Sequence, residues 1–125
     1  MKTFCYLYSF FFLLLILPSC GPREPSVCRI ARIDSKHRIE GVIEKKYVQK
    51  ENHLYRVLEI RQFEAKNYDF YLQKGPHEDF FNFVSVNDTI RKDTNSLTYH
   101  IKKPDGEERS FFLHLGCPDS LALPR

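Results

Sequence analysis

Glycine is scarce in this chain, at five of 125 residues. That leaves little of the close-approach loop chemistry on which phosphate cradles and many active sites depend. The sequence has no G-x-S-x-G, no S-x-x-K and no glycine-rich phosphate loop, so the common serine-nucleophile and nucleotide-binding designs are excluded. It has no C-x-x-C pair and no spacing suited to zinc, which sets aside thioredoxin-like redox chemistry and structural zinc. A strong charge of one sign is also missing. Lys and Arg number 19 against 16 Asp and Glu, a net charge of +3, too mild to make nucleic acid the default partner. At 42% hydrophobic and 28% charged residues, the composition is that of one ordinary folded domain.

The apolar residues are concentrated at the start. Met1 to Cys20 reads MKTFCYLYSFFFLLLILPSC, with Lys2 ahead of an uncharged stretch from Phe4 to Leu17. As a helix that stretch would span about 21 Å, short of the ~30 Å hydrocarbon core of a bilayer. Gly21, Pro22 and Arg23 end the run. A charged start, an apolar middle and small or turn-forming residues at the close are the pattern of a secretory signal. The alternative is a retained membrane span.

Leu17-Pro18-Ser19-Cys20 resembles a bacterial lipobox, with an apolar residue three positions before the cysteine and a small one just before it. The resemblance implies lipid on the Cys20 sulfur, cleavage before Cys20 and acylation of the new amine. One acyl chain, at about 0.8 kcal/mol per buried methylene, holds a protein only marginally, whereas two or three make a durable anchor. Ordinary signal cleavage near Ser19 is the competing reading. Cleavage removes only one charge, Lys2, so the remaining balance stays near neutral. Electrostatic capture by an anionic membrane is then not the holding force. Cys5 leaves with the signal and Cys20 takes lipid, so Cys28 and Cys117 remain. In an oxidising compartment they form one bridge; otherwise they are two buried thiols.

The chain divides into a signal segment (1–19), a lipidated cysteine and tether (20–37), a small barrel domain (38–117) and a tail (118–125). Gly21 to Ser26 carries two prolines and reads as extended tether. Val27 to Asp34 mixes apolar and basic residues and is open between strand and linker. Arg38–Gln49, Leu54–Phe63 and Tyr68–Gln73 read as strands separated by polar turns, with Gly41 marking a bend or bulge. From Gly75 the period changes. Pro76 at the first helical position, acids in the first turn, and Phe80, Phe83 and Val84 on one face predict a short helix whose aromatic stripe plugs the core.

Lys103-Pro104-Asp105-Gly106-Glu107 fits a three-residue hairpin loop with glycine at the left-handed position. That register puts Leu97, Tyr99, Ile101, Phe111, Leu113 and Leu115 on one surface. Three strands, a helix and two strands give an all-β fold with one short helix, a five-stranded OB-like, partly open antiparallel barrel. A β-meander with a packed helix is the alternative.

Several short stretches resemble a recurrent kind of small Bacteroidota lipoprotein. They are Gly41-Val42-Ile43, Lys45-Lys46-Tyr47, Asn52-His53, Leu58-Glu59-Ile60, Val86-Asn87-Asp88-Thr89-Ile90 with Lys92, Ser96-Leu97 and Gly116-Cys117. Members of that kind carry glycine where Asn87 stands, and asparagine tolerates the same left-handed turn. The resemblance implies an envelope lipoprotein and brings no activity with it.

No cofactor or metal site is legible. His100 lies opposite Ser110 in the hairpin register, which leaves His100 and His114 about 13 Å apart along a strand. Zn–N distances of about 2 Å exclude a shared ion. His53 falls in a turn, His77 at a helix start and His37 in a charged loop. Glu44, Glu59, Glu64 and Glu78 form no pair with an arguable separation. Basic residues interleaved with aromatics (Lys45, Tyr47, Arg56, Arg61 and Tyr71) mark a candidate binding face for an oligosaccharide or peptide, export arguing against nucleic acid.

The sequence therefore predicts a lipid-anchored binding or interaction module on the periplasmic side of an outer membrane, with membrane and a protein, peptide or glycan as partners. A periplasmic inhibitor or immunity-type protein is the second reading. A small hydrolase with an unrecognised site is the third.

Overall fold

The computed structural model describes Gly21 and residues 24–117. The signal segment, Cys20 and the tail beyond Cys117 lie outside the described residues.

Among the described residues the fold is all-β: a six-stranded antiparallel sheet that does not close, with two helices on it. The strands are β1 (Ile39–Gln49), β2 (Tyr55–Gln62), β3 (Tyr68–Leu72), β4 (Thr89–Lys92), β5 (Thr98–Lys102) and β6 (Glu108–Phe112). Their order across the sheet is β3-β2-β1-β4-β5-β6. Two three-strand meanders thus meet where β4 lies against the first part of β1, Ile39 opposite Lys92 and Val42 opposite Thr89. The partly open, barrel-like class read from the sequence holds. The count differs by one strand, because β4 is only four residues long.

Helices α1 (Ser26–Ser35) and α2 (Glu78–Phe83) flank the meanders in sequence. The segment left open between strand and linker is α1, so half of the expected tether is folded. Cys28, Ala31, Asp34 and Ser35 turn inward from α1, while Ile30 and Ile33 remain half exposed. In α2, Pro76 precedes the helix instead of starting it; His77 is the N-cap, in the left-handed region at φ 67°. Phe80, Phe81 and Val84 are buried as the core plug.

The main core lies on one face of the sheet. Ile39 and Ile43 of β1, Leu58 and Ile60 of β2, Phe70 and Leu72 of β3, Ile90 of β4, and Tyr99 and Ile101 of β5 form it with the α2 aromatics. Ring pairs bind it together: Phe70 stacks on Tyr99 at 5.1 Å, and Phe80 meets Phe111 edge-on at 5.3 Å, geometries that add to simple burial. A second cluster, Cys28, Ala31, Leu97 and Cys117, seats α1.

The last hairpin has the register expected. Tyr99 faces Phe111, His100 faces Ser110 and Lys102 faces Glu108, with Gly106 at φ 99° in the loop. Gly41 marks a close approach, since a Cβ there would stand 2.3 Å from the Arg61 carbonyl oxygen. The bulge itself comes just after it, between Ile43 and Lys45. Asn87 takes φ 74°, the conformation that glycine or asparagine supplies at a turn.

Candidate functional site

Cys28 and Cys117 form a disulfide, with Cα atoms 4.7 Å apart and a separation of 89 positions along the chain. It ties the first turn of α1 to the segment that follows β6. Of the two readings of these cysteines, the bridge is the one present. Cys20 lies outside the described residues.

The five residues of the candidate face divide. Lys45, Tyr47, Arg61 and Tyr71 share the side of the sheet away from the main core, because register places Tyr47 against Val57 and Val57 against Tyr71. The tyrosines are exposed, whereas Val57 between them is fully buried. Their basic neighbours are not free cations: Lys45 pairs with Glu59 at 2.7 Å and Arg61 with Glu44 at 2.7 Å. The hydrogen bond and charge of Glu59 push the Lys45 pKa up. Loss of water and the same carboxylate raise that of Tyr47. Arg56 is on the opposite side, directed at α2, where it meets Glu78 at 2.9 Å and donates to the Leu54 carbonyl at 2.8 Å. The face is therefore aromatic and internally neutralised.

Tyr71 is also a wall of a cavity of about 280 Å³ at the end of edge strand β3. Val27 and Ile30 of α1, Leu72, Pro76 and Leu115 give it apolar walls, with Tyr55 beside Tyr71. The two tyrosine rings meet edge-on at 6.2 Å. Asn52, Gln73 and His77 supply the remaining polar groups, and among the described residues no Lys, Arg, Asp or Glu lines it. An uncharged lining with a few amide and imidazole groups suits a ligand group that is itself uncharged. The sequence named only Tyr71 here, because the α1 wall depends on a helix it did not resolve.

His77, expected at a helix start, and His114, expected along the last strand, come together with ring centroids 4.3 Å apart. Two consecutive amides join them: Leu115 donates its N–H to His77 Nε2 at 3.1 Å, and Gly116 donates to His114 Nδ1 at 3.0 Å. Each of these two ring nitrogens acts as a hydrogen-bond acceptor. Burial, then the neighbouring His114, lowers the His77 pKa from 6.5 to about 4, against an opposing pull from Asp79. His100 instead bonds Ser110 at 2.7 Å. Among the described residues no group of three His, Cys, Asp or Glu side chains could hold a metal ion.

Two buried networks were not foreseen. Lys92, fully buried on β4, donates to the carbonyls of Asp34 (2.9 Å), Ser35 (3.3 Å), His37 and Ser96 (3.2 Å). It caps the C-terminus of α1, where carbonyls and the helix dipole favour a cation. Asp34 completes the knot, accepting hydroxyl hydrogen bonds from Tyr68 at 2.9 Å and from Tyr99. Burial pulls the Lys92 pKa down while Asp34 and Asp93 oppose it; burial and Asp34 push both tyrosines up. In the second network, Asp88 is 1% exposed and takes Lys103 at 2.7 Å and the Ser85 N–H at 2.8 Å. Lys46 donates to the Val84 carbonyl at 2.7 Å and sits over the Phe81 ring. These clamps fix the loop after α2. They are structural, since every charged group in them is matched by a neighbour.

Comparison with protein-family models, with curated proteins and with solved structures gives no match. Among the described residues no helix is long and apolar enough to cross a membrane.

Proposed function

We propose that the chain is a lipid-anchored binding module of a bacterial envelope, and that its cavity at the end of β3 takes an apolar side chain of an extended peptide. The disulfide supports export, because such bridges persist in oxidising compartments and are rare in reducing ones. Export is also what the charged start, apolar middle and Leu17-Pro18-Ser19-Cys20 ending of the N-terminus describe. The small Bacteroidota lipoproteins remain the kind of protein this chain resembles.

The observation that carries the ligand reading is the position of the cavity. It opens beside β3, an outermost strand of the sheet. A strand with one unpaired edge recruits an extended peptide through main-chain hydrogen bonds, and a pocket beside it reads one side chain. Here the walls exclude a charged one.

The test is a titration of the full chain in detergent micelles, followed by amide NMR. The probes are hexapeptides of strand-forming sequence with Leu, Phe, Asp or Lys at the central position, and soluble cell-wall oligosaccharides. Leu and Phe peptides should shift Ile30, Tyr55, Tyr71 and Leu72, and Ile30→Asp should weaken them about tenfold or more by placing a charge in the wall. Shifts with oligosaccharide alone, or with no probe, would overturn the peptide reading.

A further inference from the structure

The peptide cavity and the histidine pair share a wall. Leu115 lines the cavity and its N–H is held by His77, itself a lining residue. Leu115 and Gly116 both have positive φ, 53° and 85°, so the turn adopts a conformation costly for leucine. Within the turn, the Cys117 N–H reaches the His114 carbonyl at 2.9 Å. The imidazole acceptors hold its middle, and the disulfide carries its end to α1, the opposite wall.

We infer that His77, packed against His114, is a proton-operated latch on this cavity, closed while its Nε2 accepts the Leu115 N–H and released when that nitrogen is protonated. The inference rests on the binding reading for its purpose, but the latch itself can be observed without ligand. A protonated imidazole has no lone pair to offer, so the Leu115 amide loses its partner and the turn it shares with Gly116 loses one of its two imidazole holds.

The other charged groups nearby do not replace the lost bonds. Asp79, on α2 itself, favours the cation. Glu78 is occupied by Arg56 of β2, while β2 and β3 present the phenols of Tyr55 and Tyr71 to the cavity and α1 presents only Val27 and Ile30. The folded form thus binds the His77 proton less readily than the unfolded chain. The contribution of His77 is complete above 6.5 and is lost as pH falls toward about 4.

The experiment follows the Leu115 and Gly116 amides of the full chain in micelles from pH 7.5 to 3.5, by chemical shift and hydrogen exchange. Both amides should move with the His77 titration, and their exchange, corrected for its intrinsic pH dependence, should quicken about tenfold across it. His77→Gln keeps an acceptor that does not titrate and should flatten the His77 step; His114→Asn, the second variant should the first fold poorly, removes the ring that lowers the His77 pKa and should move the step to higher pH. Amides indifferent to the His77 titration, or an unchanged step in both variants, would overturn the latch. With a Leu peptide bound, affinity should fall over the same interval. An amide step with pH-independent affinity would overturn the regulation while leaving the binding reading intact, and absent binding with the amide step present would overturn only the latter.

Discussion

Lys92→Met is expected to lower the stability of the folded chain by about 3–5 kcal/mol, the range for removing one member of a buried charged network. The methionine side chain nearly matches the lysine stem in volume, so the loss reports the ammonium and not a cavity. Four carbonyls, those of Asp34, Ser35, His37 and Ser96, would lose their shared donor. The Asp34 carboxylate would keep its two tyrosines. Urea unfolding of single and double variants separates these contributions. Asp34→Leu with Lys92→Met should cost less than the two singles added, because apolar replacement of both members removes the stranded charge. A single-variant loss under about 1 kcal/mol would show that water or a neighbour replaces the ammonium.

Replacing both Cys28 and Cys117 with Ser is the second large effect. Loop-closure entropy for a bridge spanning 89 positions gives about 4–5 kcal/mol. The structure says where the loss should begin. The N-cap of α1, Pro25, makes no side-chain capping bond, and no acid stands in its first turn. Its opening turns are therefore seated by Cys28 and Ala31 on Leu97 and Cys117, while its far end is held by Lys92. In the Cys28→Ser/Cys117→Ser variant, amides at 28–31 should exchange first, with β1 and β2 still protected. The cavity walls at Val27 and Ile30 would go with them, so peptide binding should weaken more than sheet stability alone implies. Uniform loss of protection through sheet and helix together would contradict this order.

The parts of the fold legible in the sequence were those with a clean period or a diagnostic turn. Pro104-Asp105-Gly106 fixes its hairpin because few loop geometries accept those residues, and β1 to β3 alternate well enough to be seen. β4 was invisible for a physical reason. It is four residues long and places Lys92 inward, where the alternation rule expects an apolar residue; its carbonyl partners come from α1 and from the β4–β5 loop. Helix α1 was obscured in the same way. It buries Asp34 and Ser35 and exposes Ile30 and Ile33, so its apolar periodicity runs nearly against its burial. Most of the candidate face was legible: Lys45, Tyr47, Arg61 and Tyr71 follow from period-two geometry, but Arg56 belongs to the α2 contact. The His77–His114 pair joins residues 37 positions apart through loops, which no local pattern encodes.

The anchored, exported character of the chain is the claim on which the binding reading depends. Intact mass of the native protein extracted from membranes, before and after reduction, tests it most directly. The expected product begins at Cys20, carries the mass of two or three acyl chains, and gains two hydrogens on reduction as the Cys28–Cys117 bridge opens. A water-soluble product that retains Met1, bears no lipid and gains nothing on reduction would contradict it.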